Sequence, residues 1–271
     1  MNIYLYVVIF MIGTVFGSFY TLAVYRIPQN IDIVKKHSYC PNCNNKLGFF
    51  ELIPVLSYIL LGGKCKHCGK KIRPRYLILE LLGGISFVVL AIALKIDART
   101  INLQTAIIYA FTVLYFTAIV LIAGIDKEHI KIEKRVLAYG IIISILYMIY
   151  LYTIGYASIY RYAIYFPIYL ATYAVLLIID SLFLRKQAED SYLINTLILL
   201  NMILIFSGSQ RYLMTVIMSI IAILVYVLIK RITQRKNGNV KLKFKEIPIG
   251  YFICASNIIV IFMMTILTNI Q

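Results

Sequence analysis

Leu103 to Arg135 reads LQTAIIYAFTVLYFTAIVLIAGIDKEHIKIEKR, and this stretch carries the fold class. From Leu103 to Ile125 no charged residue interrupts the run, which is long enough to cross about 30 Å of hydrocarbon, a distance that takes roughly 17 to 25 helical residues. At Asp126 the apolar character stops, and Lys127, Lys131, Lys134 and Arg135 follow. An apolar run closed by a short basic connection is the signature of a membrane span with its cytoplasmic end marked.

The same alternation extends in both directions. Further apolar runs lie at about Ile3 to Tyr25, Tyr76 to Leu94, Val136 to Ile154, Tyr162 to Leu184, Leu193 to Ser207, Leu213 to Ile229 and Ile247 to Leu267. With 62% hydrophobic residues and a mean hydropathy of +0.87, the chain is too apolar for an ordinary soluble domain. The sequence therefore predicts an all-α polytopic membrane protein of about eight transmembrane helices. The first run has no basic segment before it and no small-residue cleavage site after it, so a retained helix is expected rather than a removable signal peptide.

A formal net charge of +16 would suit nucleic acid if the basic residues formed one patch, but they do not. All of the 27 except Lys95, Arg99, Arg161 and Arg211 fall in the odd-numbered connections. The positive-inside rule makes that side cytoplasmic and puts both termini outside. Membrane topology and contact with anionic lipid account for the charge, and no nucleic-acid partner is expected.

The connection after the first run differs from the rest. Residues 26–75 are rich in Lys, Gly, Asn, Pro and Cys, dividing the chain into a first helix (1–25), a soluble insert (26–75) and a membrane domain (76–271). Cys40-Pro41-Asn42-Cys43 and Cys65-Lys66-His67-Cys68 form two C-x2-C pairs separated by 21 residues, close to zinc-knuckle spacing. Two such turns supply four thiolates with no open coordination position, so the expected ion is a structural zinc on Cys40, Cys43, Cys65 and Cys68. An insert of this size has little core, and a metal that binds only its folded form would stabilise it. A redox relay is the competing reading, but a cytoplasmic location favours metal ligation. His37 and His67 are read as solvated, and Cys254, inside the last run, as a small buried apolar residue.

Among five aspartates, Asp126, Asp180 and Asp190 lie at or near the cytoplasmic ends of apolar runs, where ionisable groups are unusual. Two carboxyls sharing a proton near one water would make an aspartyl peptidase, because close approach drives their pKa values apart. Asp126 and Asp190 are the candidate catalytic pair, with Asp180 the rival for the second place. The alternative is that Asp126 forms a surface ion pair with Lys127 or Arg135, and that Asp190 belongs to a charged turn. Glu128, Glu133 and Glu189 share these loops and are read as solvated carboxylates rather than binding residues.

At this point the chain resembles the type IV prepilin peptidases. The resemblance rests on Gly17-Ser18-Phe19, Arg26-Ile27-Pro28, the four cysteines, Glu51-Leu52-Ile53-Pro54-Val55-Leu56-Ser57-Tyr58, Gly69, Arg75-Tyr76 and Glu80-Leu81. It implies eight helices in the bacterial inner membrane, a zinc-bearing cytoplasmic insert and a GxGD-type aspartyl dyad. It also implies prepilins or pseudopilins as substrates, and methylation of the new amino terminus from S-adenosylmethionine, whose binding residues the sequence leaves unknown. Ile125-Asp126 resembles the first catalytic position. Asp190 takes the second by spacing, in a segment reading Gln187-Ala188-Glu189-Asp190-Ser191-Tyr192 where the family has G-x-G-D-x-K. Thr21 stands where the family's G-S-F-x-N motif has Asn. The alternatives are a relative retaining only methyl transfer or an assembly role, and a proton-coupled membrane transporter.

Overall fold

The computed structural model describes residues 2–33, 37–99, 101–156, 167, 192–236 and 247–270. These residues form helices α1 (Asn2–Arg26), α2 (Leu56–Leu60), α3 (Arg75–Ala93), α4 (Leu103–His129), α5 (Lys134–Thr153), α6 (Tyr192–Lys236) and α7 (Ile249–Ile270), with a 3-10 turn at Phe49–Leu52. There is no strand among the described residues, only isolated bridges at Tyr39–Lys46 and Lys64–Lys71. Among the described residues, five helices are long and apolar enough to cross a membrane. Seven of the eight apolar runs coincide with these helices to within about two residues at each overhanging end, and the run from Tyr162 to Leu184 lies outside the described residues except for Pro167.

The chain divides into two compact units, Met1–Val113 and Leu114–Gln271. The first is built on the pairing of α1 with α3. An added methyl on Gly13 would lie 2.7 Å from the Gly83 carbonyl, and one on Gly17 2.7 Å from the Leu79 carbonyl. The two backbones touch there, which is how helices associate in lipid, where burying apolar surface against apolar surface gains nothing. The GxxxG spacing of Gly13 and Gly17 puts both on one face of α1. Phe87 of α3 is buried beside them, its ring 5.1 Å from that of Phe16.

Two side chains, Arg26 and Glu80, fix the soluble insert to this helix pair. Arg26, the last residue of α1, is buried and donates to the carbonyls of Asp32, Ile33 and His37 at 3.2–3.4 Å. Glu80, inside α3, accepts the Val55 N–H at 2.8 Å. Val55 has φ +63°, rare for a β-branched residue, in a tight turn closed by the Leu56 N–H on the Pro54 carbonyl at 2.6 Å. Glu51 accepts the Gly48 N–H at 2.7 Å and lies 3.7 Å from His67 Nε2, linking the two halves of the insert.

In the second unit, the sequence reading drew Leu193 to Ser207 and Leu213 to Ile229 as separate spans, whereas α6 runs through both with a single non-helical residue, Gly208 (φ 75°, ψ 172°). A straight helix would place Tyr192 and Tyr226 about 51 Å apart. Yet the Tyr192 hydroxyl meets the Gly250 N–H at 3.2 Å, and the rings of Tyr226 and Phe252 are 5.1 Å apart. α6 therefore doubles back at Gly208, and the turn between the two runs is reduced to one residue. Asn257 of α7 ties the two halves near the bend. Its side-chain amide donates to Thr215 at 3.2 Å and to Ser207 at 3.5 Å, and its oxygen accepts from Tyr115 at 2.9 Å. Phe206 stacks on Tyr115 and Tyr147, joining α4, α5 and α6.

Candidate functional site

Two sites emerge, one in each unit. In the insert, the two C-x-x-C turns have the same backbone. The N–H of Cys40 donates to the Asn45 carbonyl and that of Asn44 to Cys40. At Cys65 the same bonds run from Cys65 to Lys70 and from Gly69 to Cys65. Asn44 (φ 57°) and Gly69 (φ 68°) occupy equivalent left-handed positions, a conformation that asparagine and glycine tolerate best. The turns are continued by Leu47 N–H to Ser38 and Ile72 N–H to Gly63, again in register. Each turn thus presents its two thiols on one side.

The four sulfurs lie within 4.8 Å of one another, and Cys40 Sγ and Cys68 Sγ are 3.9 Å apart. A zinc tetrahedron with Zn–S bonds of about 2.3 Å has sulfurs about 3.8 Å from each other, so the donor set fits. None of the five cysteines is in a disulfide. Convergence of both pairs on one point is what a metal requires and what two independent dithiols would not. The N–H groups of Asn42 and Cys43 pull the Cys40 thiol down to about 7. The Asn45 N–H acts in the same direction on Cys43, but burial and the neighbouring thiols outweigh it and push that thiol up to about 11. Four thiolates at this spacing repel one another, and a divalent cation would remove the repulsion. His67 belongs with Glu51 and is not among the converging ligands.

In the second unit, Asp126 lies one turn before the end of α4 and is fully buried. Its Oδ2 accepts the Tyr251 backbone N–H at 2.8 Å and the Tyr192 hydroxyl at 3.0 Å. The same hydroxyl accepts the Gly250 N–H, so Tyr192 links the start of α6 to the start of α7. A methyl on Gly250 would come within 3.1 Å of Asp126 Oδ2 and 3.0 Å of Ile132 Cδ1, so a larger residue there would require these side chains to give by a few tenths of an ångström. The other carboxylate oxygen, Oδ1, is buried and has no hydrogen-bond partner among the described residues. Such an orphan is uncommon in native proteins and marks a position where another group belongs.

Among the described residues, the contacts of Asp126 include no ion pair. Lys127 sits 5.1 Å from the centre of the Tyr251 ring, and Asp126 is held by neutral donors. Glu133 is buried and paired with Lys131 at 3.3 Å, rather than solvated. Asp180, Asp190 and Glu189 lie outside the described residues. Tyr192, Tyr251 and Gly250 were not read as site residues from the sequence. Their partner in the first case is 66 positions away and in the second 125, and tyrosine is spread throughout the chain.

Fold and sites together define a polytopic helical membrane protein with four cysteines close enough to hold a metal ion. Residues 11–94 match the family described as Bacterial Peptidase A24 N-terminal domain, a segment inside the first unit. Over that segment the chain is similar to bacterial prepilin peptidases. It is similar to a protein of Vibrio cholerae named prepilin leader peptidase/N-methyltransferase, 40% identical over 87 residues, covering 29% of this chain and 34% of that one. A protein of the same name from Bacillus subtilis is 31% identical over 132 residues, 49% of this chain and 50% of that one. The matches thus span about a third to a half of these relatives. No solved structure matches the chain.

Proposed function

We propose that this protein is an aspartyl endopeptidase of the bacterial inner membrane that removes the leader from type IV prepilins or pseudopilins. The observation that carries the reading is Asp126: buried, with one oxygen fixed by two donors and the other without a partner among the described residues. An aspartyl peptidase uses one carboxylate oxygen to orient the group and leaves the other facing the attacking water and its partner carboxyl. Asp190 is the proposed partner; it stands two residues before Tyr192, which already reaches Asp126. In this reading one dyad carboxyl takes a proton from water while the other, protonated, polarises the scissile carbonyl.

The wider arrangement follows the charge pattern, with eight spans, a cytoplasmic insert and cytoplasmic aspartates. Zinc on Cys40, Cys43, Cys65 and Cys68 holds the insert and takes no part in hydrolysis. The basic leader of a prepilin stays on the cytoplasmic side while its apolar helix enters the bilayer, bringing the junction to the membrane edge. Methylation of the new amino terminus from S-adenosylmethionine belongs to the same reading and is supported by the relatives' names alone.

The test is cleavage of a prepilin by the purified full chain, followed by mass, beside Asp126→Asn, Asp190→Asn and Asp180→Asn. Wild type and Asp180→Asn should release the leader, and the other two should not. Loss in Asp180→Asn with retention in Asp190→Asn would reassign the second carboxyl. A folded wild type that cleaves nothing overturns the peptidase reading.

A further inference from the structure

Between the two cysteine turns, residues 49–60 expose a run of large apolar side chains. Phe49, Phe50 and Leu60 are 79%, 80% and 82% exposed, and Leu52, Leu56 and Ile59 are exposed as well. The Phe49 and Phe50 rings contact each other at 5.8 Å, and the 3-10 turn carrying them packs on α2. These residues belong to the soluble insert and to no membrane-spanning helix. Exposed apolar side chains packed this densely mark a surface that something covers.

The position of the segment identifies what covers it. Its two apolar turns meet at Val55, and Val55 is hydrogen-bonded to Glu80, which lies five residues inside the membrane helix α3. Residues 49–60 are therefore held against the first turns of a span, at the depth where hydrocarbon gives way to headgroups. The flanks carry the complementary charge. Lys46, Lys64, Lys66, Lys70 and Lys71 are all exposed, and the insert has few acidic residues to offset them. Aromatic and branched apolar side chains beside lysines are what an anionic leaflet surface accepts, the rings entering the acyl boundary and the ammonium groups staying at the headgroups.

We propose that residues 49–60 are an interfacial anchor that seats Phe49, Phe50, Ile59 and Leu60 in the anionic leaflet from which α1 and α3 emerge. The anchor and the Glu80–Val55 bond fix the height of the cysteine centre above the membrane. The inference uses the membrane assignment and is independent of whether the protein cleaves peptides.

The chain contains no tryptophan, so a single substitution gives an unambiguous reporter. Phe50→Trp and, separately, Leu60→Trp would be placed in the full chain and reconstituted in phosphatidylcholine vesicles with and without phosphatidylglycerol. Retained metal content reports that each insert is folded. The expected result is blue-shifted emission, quenching by lipids brominated on the upper acyl chain and loss of quenching by aqueous acrylamide, all stronger with phosphatidylglycerol. Red-shifted emission quenched by acrylamide in both variants overturns the proposal. So does shielding from both quenchers that depends on protein density, which would point to a second copy, or shielding that appears only when a prepilin is added.

Discussion

Asp126 accepts two hydrogen bonds on one oxygen and, among the described residues, none on the other; the one side chain among those two donors is Tyr192. Tyr192→Phe removes the hydroxyl that serves Asp126 and Gly250 together while preserving the ring. The bond to a carboxylate and the orphaned Gly250 N–H together set a cost of about 1–3 kcal/mol to folding. If Asp126 is a catalytic group, turnover should fall roughly tenfold or more with little change in KM, because the carboxylate loses orientation rather than substrate contact. Steady-state cleavage kinetics on the folded variant check this; an unchanged kcat would make Tyr192 a purely structural residue. The site was half legible beforehand. An aspartate closing an apolar run is visible in sequence, whereas a tyrosine hydroxyl and a backbone N–H arriving from distant helices have no local signature. The surrounding fold, not local propensity, decides which of the 23 tyrosines reaches it.

Helices were the most legible elements because the membrane requires every backbone polar group to be satisfied within the segment, which makes apolar length nearly sufficient. The runs beginning at Leu103 and Val136 are matched by α4 and α5 within a few residues. The sequence separates the runs Leu193 to Ser207 and Leu213 to Ile229, yet only Gly208 between them leaves helical geometry. Its φ and ψ lie in a region that glycine alone enters without strain. Gly208→Val should therefore destabilise the second unit by about 2–3 kcal/mol or more, since the hairpin must either strain or open. Opening would also separate Thr215 from Ser207 and break their shared contact with Asn257. Thermal unfolding in detergent measures the loss, and a variant as stable as wild type would show that the bend does not depend on glycine. The short helices of the insert left no such pattern. The 3-10 turn and α2 are held by Glu51 and Glu80 from outside the local sequence or by a single side chain, and no periodicity announces them.

At the scale of the molecule, the residues that carry the family match also build the first unit. Gly17 allows α1 to touch α3, Arg26 and Glu80 tie the insert to those helices, Glu51 joins its halves and the cysteines close it. Apart from these contacts the insert has a small interior: no residue of α2 or of the 3-10 turn is buried. Its order must then depend on the four-sulfur centre, whereas the spans are stabilised by lipid and by helix contacts that need no metal. Removing metal should consequently separate two kinds of stability in one chain. The purified protein is expected to hold one zinc, and a strong chelator, or Cys40→Ser, should expose residues 26–75 to limited proteolysis. The helical circular dichroism should change little, because most of the helix lies in the spans. Metal analysis beside mapping of the cleavage sites tests both parts. Rapid cutting confined to the insert after metal loss would make the cysteine centre a local clasp. Loss of most of the helical signal would instead mean that the spans themselves rely on it, and wild type with no bound zinc would remove the centre from the account of stability altogether.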